Sequence, residues 1–255
     1  MNTFTVLFSR RWLFATLLAI AAVAVMSRLG IWQLDRLEAR KAFNARVIMH
    51  QEEPTLTLDA ESINLDLYSM EYRTAVVEGH YLPDEEIVLR NQTWQGKLGV
   101  QLFTPLLIEG TGQIILIQRG WIPTDQADAE SRTRFFEPGE VTVTGALRRA
   151  ETDFSLRLRP DPTLVAGETR FDAWNNLDLE RLATQIDSPM LPVYLQRVPD
   201  GQDGNPPFAQ ALSIDLTEGS HLGYAGQWFL FAVVLALGYP VFVRKQEQGR
   251  MSSTT

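Results

Sequence analysis

The sequence predicts a membrane protein in which two transmembrane α-helices flank a β-rich extracytoplasmic domain, either a small antiparallel barrel or a sandwich. Three observations carry this. Trp12 to Ser27 is a run of 16 residues without a charge, and Leu222 to Val243 is a second such run of 22 residues closed by Arg244 and Lys245. Between them lie short runs rich in β-branched residues, separated by turn-forming dipeptides. The mean hydropathy of -0.09 averages over these unlike regions and hides both apolar ends.

Composition removes several function classes. The 255 residues carry 23 Lys and Arg against 31 Asp and Glu, a formal net charge of -8, which opposes a nucleic-acid partner because phosphate binding needs a basic surface. The absence of cysteine excludes disulfides, thiolate zinc, iron–sulfur clusters, a cysteine nucleophile and covalent c-type haem. His, Asp, Glu, Met and Tyr remain as metal or haem ligands.

Residues 1–11 read as a tail, and 12–32 as the first span. Trp12 and Trp32 are 20 residues apart, a helical rise of about 30 Å that matches the bilayer core. A cleaved signal peptide ending near Ala22-Val23-Ala24 is the alternative. Arg28 can carry its guanidinium outward from the last turn. Residues 33–220 form the extracytoplasmic domain. It opens with a helical extension to about residue 48, where Leu34, Leu37, Ala42 and Phe43 recur beside Arg36, Arg40, Lys41 and Arg46; this basic face reads as a headgroup contact, a partner surface or a solvated face.

The β-rich core spans about 70–200, with strands expected at 72–82, 85–91, 98–108, 113–122, 140–148 and 190–198. Turn chemistry punctuates them at Pro83-Asp84, Gln95-Gly96, Gly110-Thr111-Gly112 and Pro138-Gly139. One helix is expected over 177–186, with Leu179, Leu182, Ala183 and Ile186 on one face. Asp200 to Pro207 reads as a flexible return to the membrane. The second span, 221–243, has Tyr224 and Trp228 near one end and Tyr239 near the other, as interfacial aromatics, with Pro240 in the last turn. Residues 244–255 form a second tail.

Basic flanks set orientation, and the two spans disagree: Arg28, Arg36, Arg40, Lys41 and Arg46 after the first by themselves favour the reverse insertion, whereas Arg244, Lys245 and Arg250 after the second favour a cytoplasmic C-terminus. The 33–220 segment holds 17 basic and 30 acidic residues, and long acidic domains translocate readily. Both termini are therefore expected in the cytoplasm and the domain outside, with a bacterial inner membrane as the location and the lipid bilayer as a partner.

Hydrolytic motifs are missing: there is no GxSxG, HExxH or phosphate loop, and the protein reads as a non-enzyme. His50 beside Met49 reads as a surface or junction pair, His80 as a satisfied strand histidine, and Asp84, Glu85 and Glu86 as solvated turn charge. Gly120 in Arg119-Gly120-Trp121 is expected to serve a bulge or close backbone approach, with Trp121 filling one end of the barrel; a recognition surface is the alternative. His221 differs by position. It opens the second helix behind Ser220, at the membrane surface, and falls at helical spacing with Tyr224, Ala225 and Trp228, with Gly223 and Gly226 open to close approach. Neutral imidazole ligates iron; the bland alternative is an interfacial belt packed on the first helix.

Gly30-Ile31-Trp32-Gln33-Leu34-Asp35-Arg36, then Gly99 to Pro105 leading into Gln118-Arg119-Gly120-Trp121-Ile122-Pro123, and His221-Leu222-Gly223-Tyr224-Ala225-Gly226-Gln227-Trp228-Phe229 resemble the Surfeit-locus (SURF) family of cytochrome c oxidase assembly factors. The GxWQxxR, RGWxP and HxxYAxxWF patterns are specific in this order and two-helix frame. Gly30, Trp32, Gln33, Arg36, Arg119, Gly120 and Trp121 are then motif or interface residues. The resemblance implies help in building oxidase subunit I, a possible encounter with the haem a synthesis enzyme, and haem a carried as cargo. His221 would ligate its iron, and Tyr224 and Trp228 would contact the ring. A haem-free scaffold docking on immature oxidase is the rival reading. One departure from the family pattern is Gly219-Ser220, where relatives often carry asparagine just upstream of the histidine.

Overall fold

The structure is a computed structural model that describes residues 3–150, 170–199, 201 and 204–252. Helices α1 (Thr3–Leu7) and α2 (Leu13–Glu52) precede strands β1 (Leu56–Leu58), β2 (Thr74–Tyr81), β3 (Ile87–Trp94), β4 (Lys97–Ile108) and β5 (Ile114–Pro123). Helix α3 (Ala129–Arg132), β6 (Glu140–Arg148), β7 (Ala173–Trp174), α4 (Leu179–Ala183), β8 (Met190–Arg197) and α5 (His221–Ser252) complete the order. The chain divides into a helical unit, Met1–Arg46 with Asp215–Thr255, and a barrel unit, Val47–Ile214.

In the helical unit, α2 and α5 are each long and apolar enough to cross a membrane, and only 11% of either apolar window is buried. That exposure separates them from the core helices of a soluble protein, whose apolar faces are covered by protein. The two helices pack antiparallel. Near one end the Thr16 hydroxyl donates to the Leu7 carbonyl at 2.7 Å and meets the Tyr239 hydroxyl at 2.9 Å, while Trp12 Nε1 donates to Glu247 Oε1 at 2.9 Å. Pairing the buried hydroxyl in this way removes the cost of a bare polar group in hydrocarbon. Towards the other end Gly30 lies beneath the Phe229 ring, and a Cβ there would sit 2.7 Å from it. Helix α5 does not stop near Val243 but continues to Ser252, so Pro240 lies inside the helix and not in its last turn. The residues beyond it, Arg244 to Gln248, are good helix formers with no breaker among them.

The barrel unit closes on itself through the ring β2-β6-β8-β5-β4-β2, with β1 added beside β2 and β3 and then β7 added beside β4. It is a barrel and not a sandwich, and it is not wholly antiparallel: β5 pairs parallel to β8, as β1 does to β2 and β7 to β3. Adjacent antiparallel strands need only a tight turn, whereas β5 and β8 are joined by the long segment 124–189, which leaves room for a crossover. Strands β1 and β7 have three and two residues, too short to display an alternating pattern.

Strand β5 explains its own unbroken apolar run. Ile115 and Ile117 enter the core with Ala75, Val77, Leu106, Leu147, Val193 and Leu195. Ile114 and Leu116 point the other way, into a second core with Ile87, Phe103, Trp174, Leu179 and Leu182. Both faces are covered, so alternation disappears from the sequence. Helix α4 is shorter than the expected 177–186 because the Asp178 carboxylate accepts the Arg181 amide at 3.0 Å and starts the helix there.

Between β4 and β5 the register slips. Leu102 faces Gly120 and Phe103 faces Gln118, which leaves Arg119 as the extra residue of a bulge. Gly120 has φ 149°, and a Cβ on it would lie 2.5 Å from the Phe208 carbonyl. Phe208 and Trp121 exchange two backbone hydrogen bonds of 2.9 Å, so the segment after Pro207 is pinned to the barrel. Of the expected return 200–207, residues 200, 202 and 203 lie outside the described residues.

Candidate functional site

Gly30, Gln33 and Leu37 recur at three- and four-residue spacing on α2, which stacks them on one face. Leu37 is buried, Gly30 meets Phe229, and the Gln33 side chain reaches the first residue of α5: Nδ1 of His221 donates to Gln33 Oε1 at 2.9 Å. With Nδ1 carrying the proton, the lone pair sits on Nε2, the ring nitrogen then able to bind a metal. Gly219 has φ 68°, and a Cβ there would lie 3.6 Å from that Nε2. A side chain there would rest in van der Waals contact with the imidazole edge.

A cavity of about 490 Å³ adjoins this edge, lined by Arg36, Arg40, Phe43, Thr217, Gly219 and His221 among others. Arg36 stands over the half-exposed Trp32 ring at 5.9 Å. Arg40 is not a free solvated charge. Its Nε donates to the Thr217 carbonyl at 3.0 Å, and its Nη2 binds both the Asp215 carbonyl and the Asp215 carboxylate, the latter at 3.4 Å. Asn44 adds a bond to the Leu216 carbonyl. Hydrogen bonds from Thr217, with help from Arg40, hold the Asp215 carboxyl below its usual range. The strap leading into His221 is thus tied down by α2, through residues 215–217 that no sequence motif had marked.

The face expected on α5 is split. Ala225 is 1% exposed against α2, whereas Tyr224 is 51% exposed and Trp228 is half-buried, edge-on to Phe231. Tyr224 and Ala225 flank His221 on either side of one helical line, and the structure buries the Ala225 side while leaving the Tyr224 side exposed. Gly223 and Gly226 meet no atom at a built Cβ position, and the close helix approach is made by Gly30 instead. Tyr224 stands exposed one turn after His221, while Trp228, a further turn on, keeps part of its ring open.

In the barrel unit, Arg119 is buried at 2% exposure. Its Nη2 donates to the Phe135 carbonyl and to Glu137 Oε1, the latter at 2.6 Å, and its Nη1 lies 3.5 Å from Glu86 Oε2. Its guanidinium also covers the Tyr81 ring at 4.7 Å. Burial pushes the Tyr81 phenol up to about 12, with Arg119 opposing. Glu86, expected as solvated turn charge, is in fact buried: it accepts from Thr104 Oγ1 at 2.6 Å and faces Arg132 at 3.8 Å. Burial raises its carboxyl above the usual range, while Thr104, Arg119 and Arg132 pull it down. The turn residues Asp84 and Glu85 hide this because the turn ends at Glu85, and Glu86, one residue before β3, is already buried.

Trp121 is also buried, donating through Nε1 to the Gln92 carbonyl at 3.1 Å beside Trp94 and Phe208. His50 is a buried group and not a surface one, with Nδ1 at 2.7 Å from the Glu71 carbonyl. His80 is half-exposed on β2, 3.7 Å from Glu109. Among the described residues no group of three or more His, Asp and Glu side chains forms a metal cluster.

Two helices long and apolar enough to cross a membrane, flanking in sequence a closed five-strand barrel, with a histidine at the start of one helix bonded across to the other, define a class of two-span membrane proteins with a β-domain between the spans. The chain belongs to the SURF1 family, whose profile matches residues 20–233. It is 27% identical to a SURF1-like protein of Rickettsia felis over 89% of this chain and 96% of the relative. It is 26% identical to Surfeit locus protein 1 of Xenopus tropicalis over 90% of this chain and 76% of the relative. It is also 33% identical to the cytochrome oxidase assembly protein SHY1 of Saccharomyces cerevisiae, over 41% of this chain and 27% of that protein.

Proposed function

We propose that this protein is an assembly factor for cytochrome c oxidase that holds haem a at His221 and hands it towards oxidase subunit I. The observation that carries the reading is the Gln33–His221 hydrogen bond, which selects the tautomer with a free Nε2 beside an open cavity. Haem is a flat apolar ring with two carboxylates and an iron that takes an axial imidazole. The fit is favourable. His221 offers the nitrogen, Tyr224 and Trp228 offer apolar surface along α5, and Arg36, which lines the cavity, offers a guanidinium for a carboxylate. Holding cargo requires no bond-making residue, in keeping with an assembly factor that is not an enzyme. Its partners would be oxidase subunit I and the haem a synthesis enzyme.

The acidic charge of the 33–220 segment and the basic flank after Val243 support cytoplasmic termini and a periplasmic barrel in a bacterial inner membrane. The test is purification in detergent after coexpression with haem a synthesis enzymes, followed by a visible spectrum. Wild type is expected to carry haem a, and His221→Ala to bind it more weakly with an altered spectrum. Removing one ligand leaves the burial of the ring intact, so the site is not expected to empty completely. Equal affinity and identical spectra for the two proteins would reject the liganding role and leave a haem-free scaffold.

A further inference from the structure

The barrel unit has a cavity of its own, of about 420 Å³, lined by Glu86, Thr104, Arg119, Arg132, Phe136 and Arg170 among others. Two buried cations meet one buried carboxyl on its floor: the Arg119 and Arg132 side chains are 2% and 6% exposed and, among the described residues, Glu86 at 8% is the comparably buried carboxyl facing both, while Glu137, 42% exposed, holds Arg119 Nη2 from the surface side. Asp172, which pairs with Arg132 Nη2 at 3.1 Å, is 56% exposed and belongs to the rim. Asp84 is also on the rim and touches Arg170 through its backbone carbonyl.

The donors in this wall are not used up. Arg119 Nε, Arg132 Nε and Nη1, and Arg170 Nε and Nη2 are buried without a hydrogen-bond partner. An ion-pair network that serves stability alone normally satisfies its donors, because each buried N–H left bare opposes folding. On Arg170 the two bare atoms form one edge of the guanidinium, whose N–H bonds run parallel and match a two-oxygen acceptor. The rest of that side chain is anchored, with Nη1 held by the Asp84 carbonyl and by Glu85 Oε2 at 2.8 Å.

We propose that this cavity binds an organic carboxylate, its oxygens taking the Nε/Nη2 edge of Arg170 and the bare donors of Arg132, its apolar body lying against Phe136 and Pro83. The apolar wall decides for an organic carboxylate over phosphate: Phe136 and Pro83 offer contact to a hydrocarbon body that inorganic phosphate lacks. Size decides against a bare ion, since the volume lies within the range of small-molecule sites. Phe136, 46% exposed, gives the body an apolar wall. The site is independent of His221 and stands or falls separately from the haem reading.

The test uses the full-length protein in lipid nanodiscs, with benzoate as the probe, its neutral analogue benzamide as control and inorganic phosphate as competitor class. Calorimetry and thermal unfolding are the readouts. Benzoate is expected to bind one per chain and raise Tm, with no effect from benzamide and weaker binding of phosphate. Arg170→Gln, at the partly exposed rim, is expected to weaken benzoate by about tenfold or more while leaving the ligand-free Tm close to wild type. Arg132→Gln is expected to abolish binding, and if that variant does not fold the rim variant decides. Equal effects of benzoate and benzamide, unchanged benzoate affinity in Arg170→Gln, or phosphate binding more tightly than benzoate would each overturn the proposal.

Discussion

Nδ1 of His221 lies 2.9 Å from Oε1 of Gln33, a bond between the first turn of one long helix and the middle of another. It fixes which ring nitrogen carries the lone pair. Outer partners of this kind typically tune metal affinity by about 10- to 100-fold. Gln33→Leu is therefore expected to weaken haem a binding within that range and to shift the visible bands, while Gln33→Glu, which keeps an acceptor, retains most of both. A Gln33→Leu protein with the wild-type spectrum and affinity would show that the bond only packs the helices.

Trp121 and Gly120 are expected to act through stability. Trp121 is 2% exposed and its indole is hydrogen-bonded, so Trp121→Ala is expected to cost about 3–5 kcal/mol. Gly120→Ala forces a Cβ against the Phe208 backbone in a region of φ that L-residues avoid, and its Tm is expected to drop as well. If Trp121→Ala keeps the wild-type Tm yet abolishes oxidase assembly, the Arg119-Gly120-Trp121 segment is a recognition surface instead.

Glu86 sets a pH dependence with a definite sign. Burial raises its folded-state carboxyl above the ordinary 4.5, so the folded state binds the proton more tightly than the unfolded chain. Its contribution is most favourable below about 4.5 and is lost as pH rises through the raised value. Asp59, Asp128 and Asp215 are held below their ordinary 3.8 and act in the opposite direction, losing stability as pH falls beneath it. Glu86→Gln is expected to flatten the decline above pH 4.5 in denaturant melts run at successive pH values. A decline of the same slope in the variant would assign it to other groups.

Topology follows from the charge flanks. Alkaline phosphatase fused near residue 150 is expected to be active and the same reporter after Arg250 inactive. The reverse pattern would place the barrel in the cytoplasm and undo the reading.

Helix pairing rests on small contacts. Gly30→Leu drives a side chain into the Phe229 ring and is expected to loosen α2 from α5, seen as a lower Tm in detergent and, with the Gln33–His221 bond stretched, a change in any haem spectrum. An unchanged Tm would mean the ring simply swings aside.

Linear pattern alone disclosed the two apolar helices, since uncharged runs of 16 and 22 residues approach or reach the length of a bilayer span, and six of the eight strands among the described residues, since turn residues bound each run. It also singled out Gln33 and His221, though not that they touch. Contacts decided the remainder. Glu86 looked like turn charge because exposure is a property of the folded neighbourhood and not of the dipeptide before it; only closure of the barrel puts Arg119, Arg132 and Thr104 around it. The parallel β5–β8 pairing is invisible for a related reason: strand direction is set by where a long connection crosses, and nothing local encodes that. The split of Tyr224 from Ala225 required knowing which side of α5 meets Gly30 and Gln33, a choice made by the partner helix.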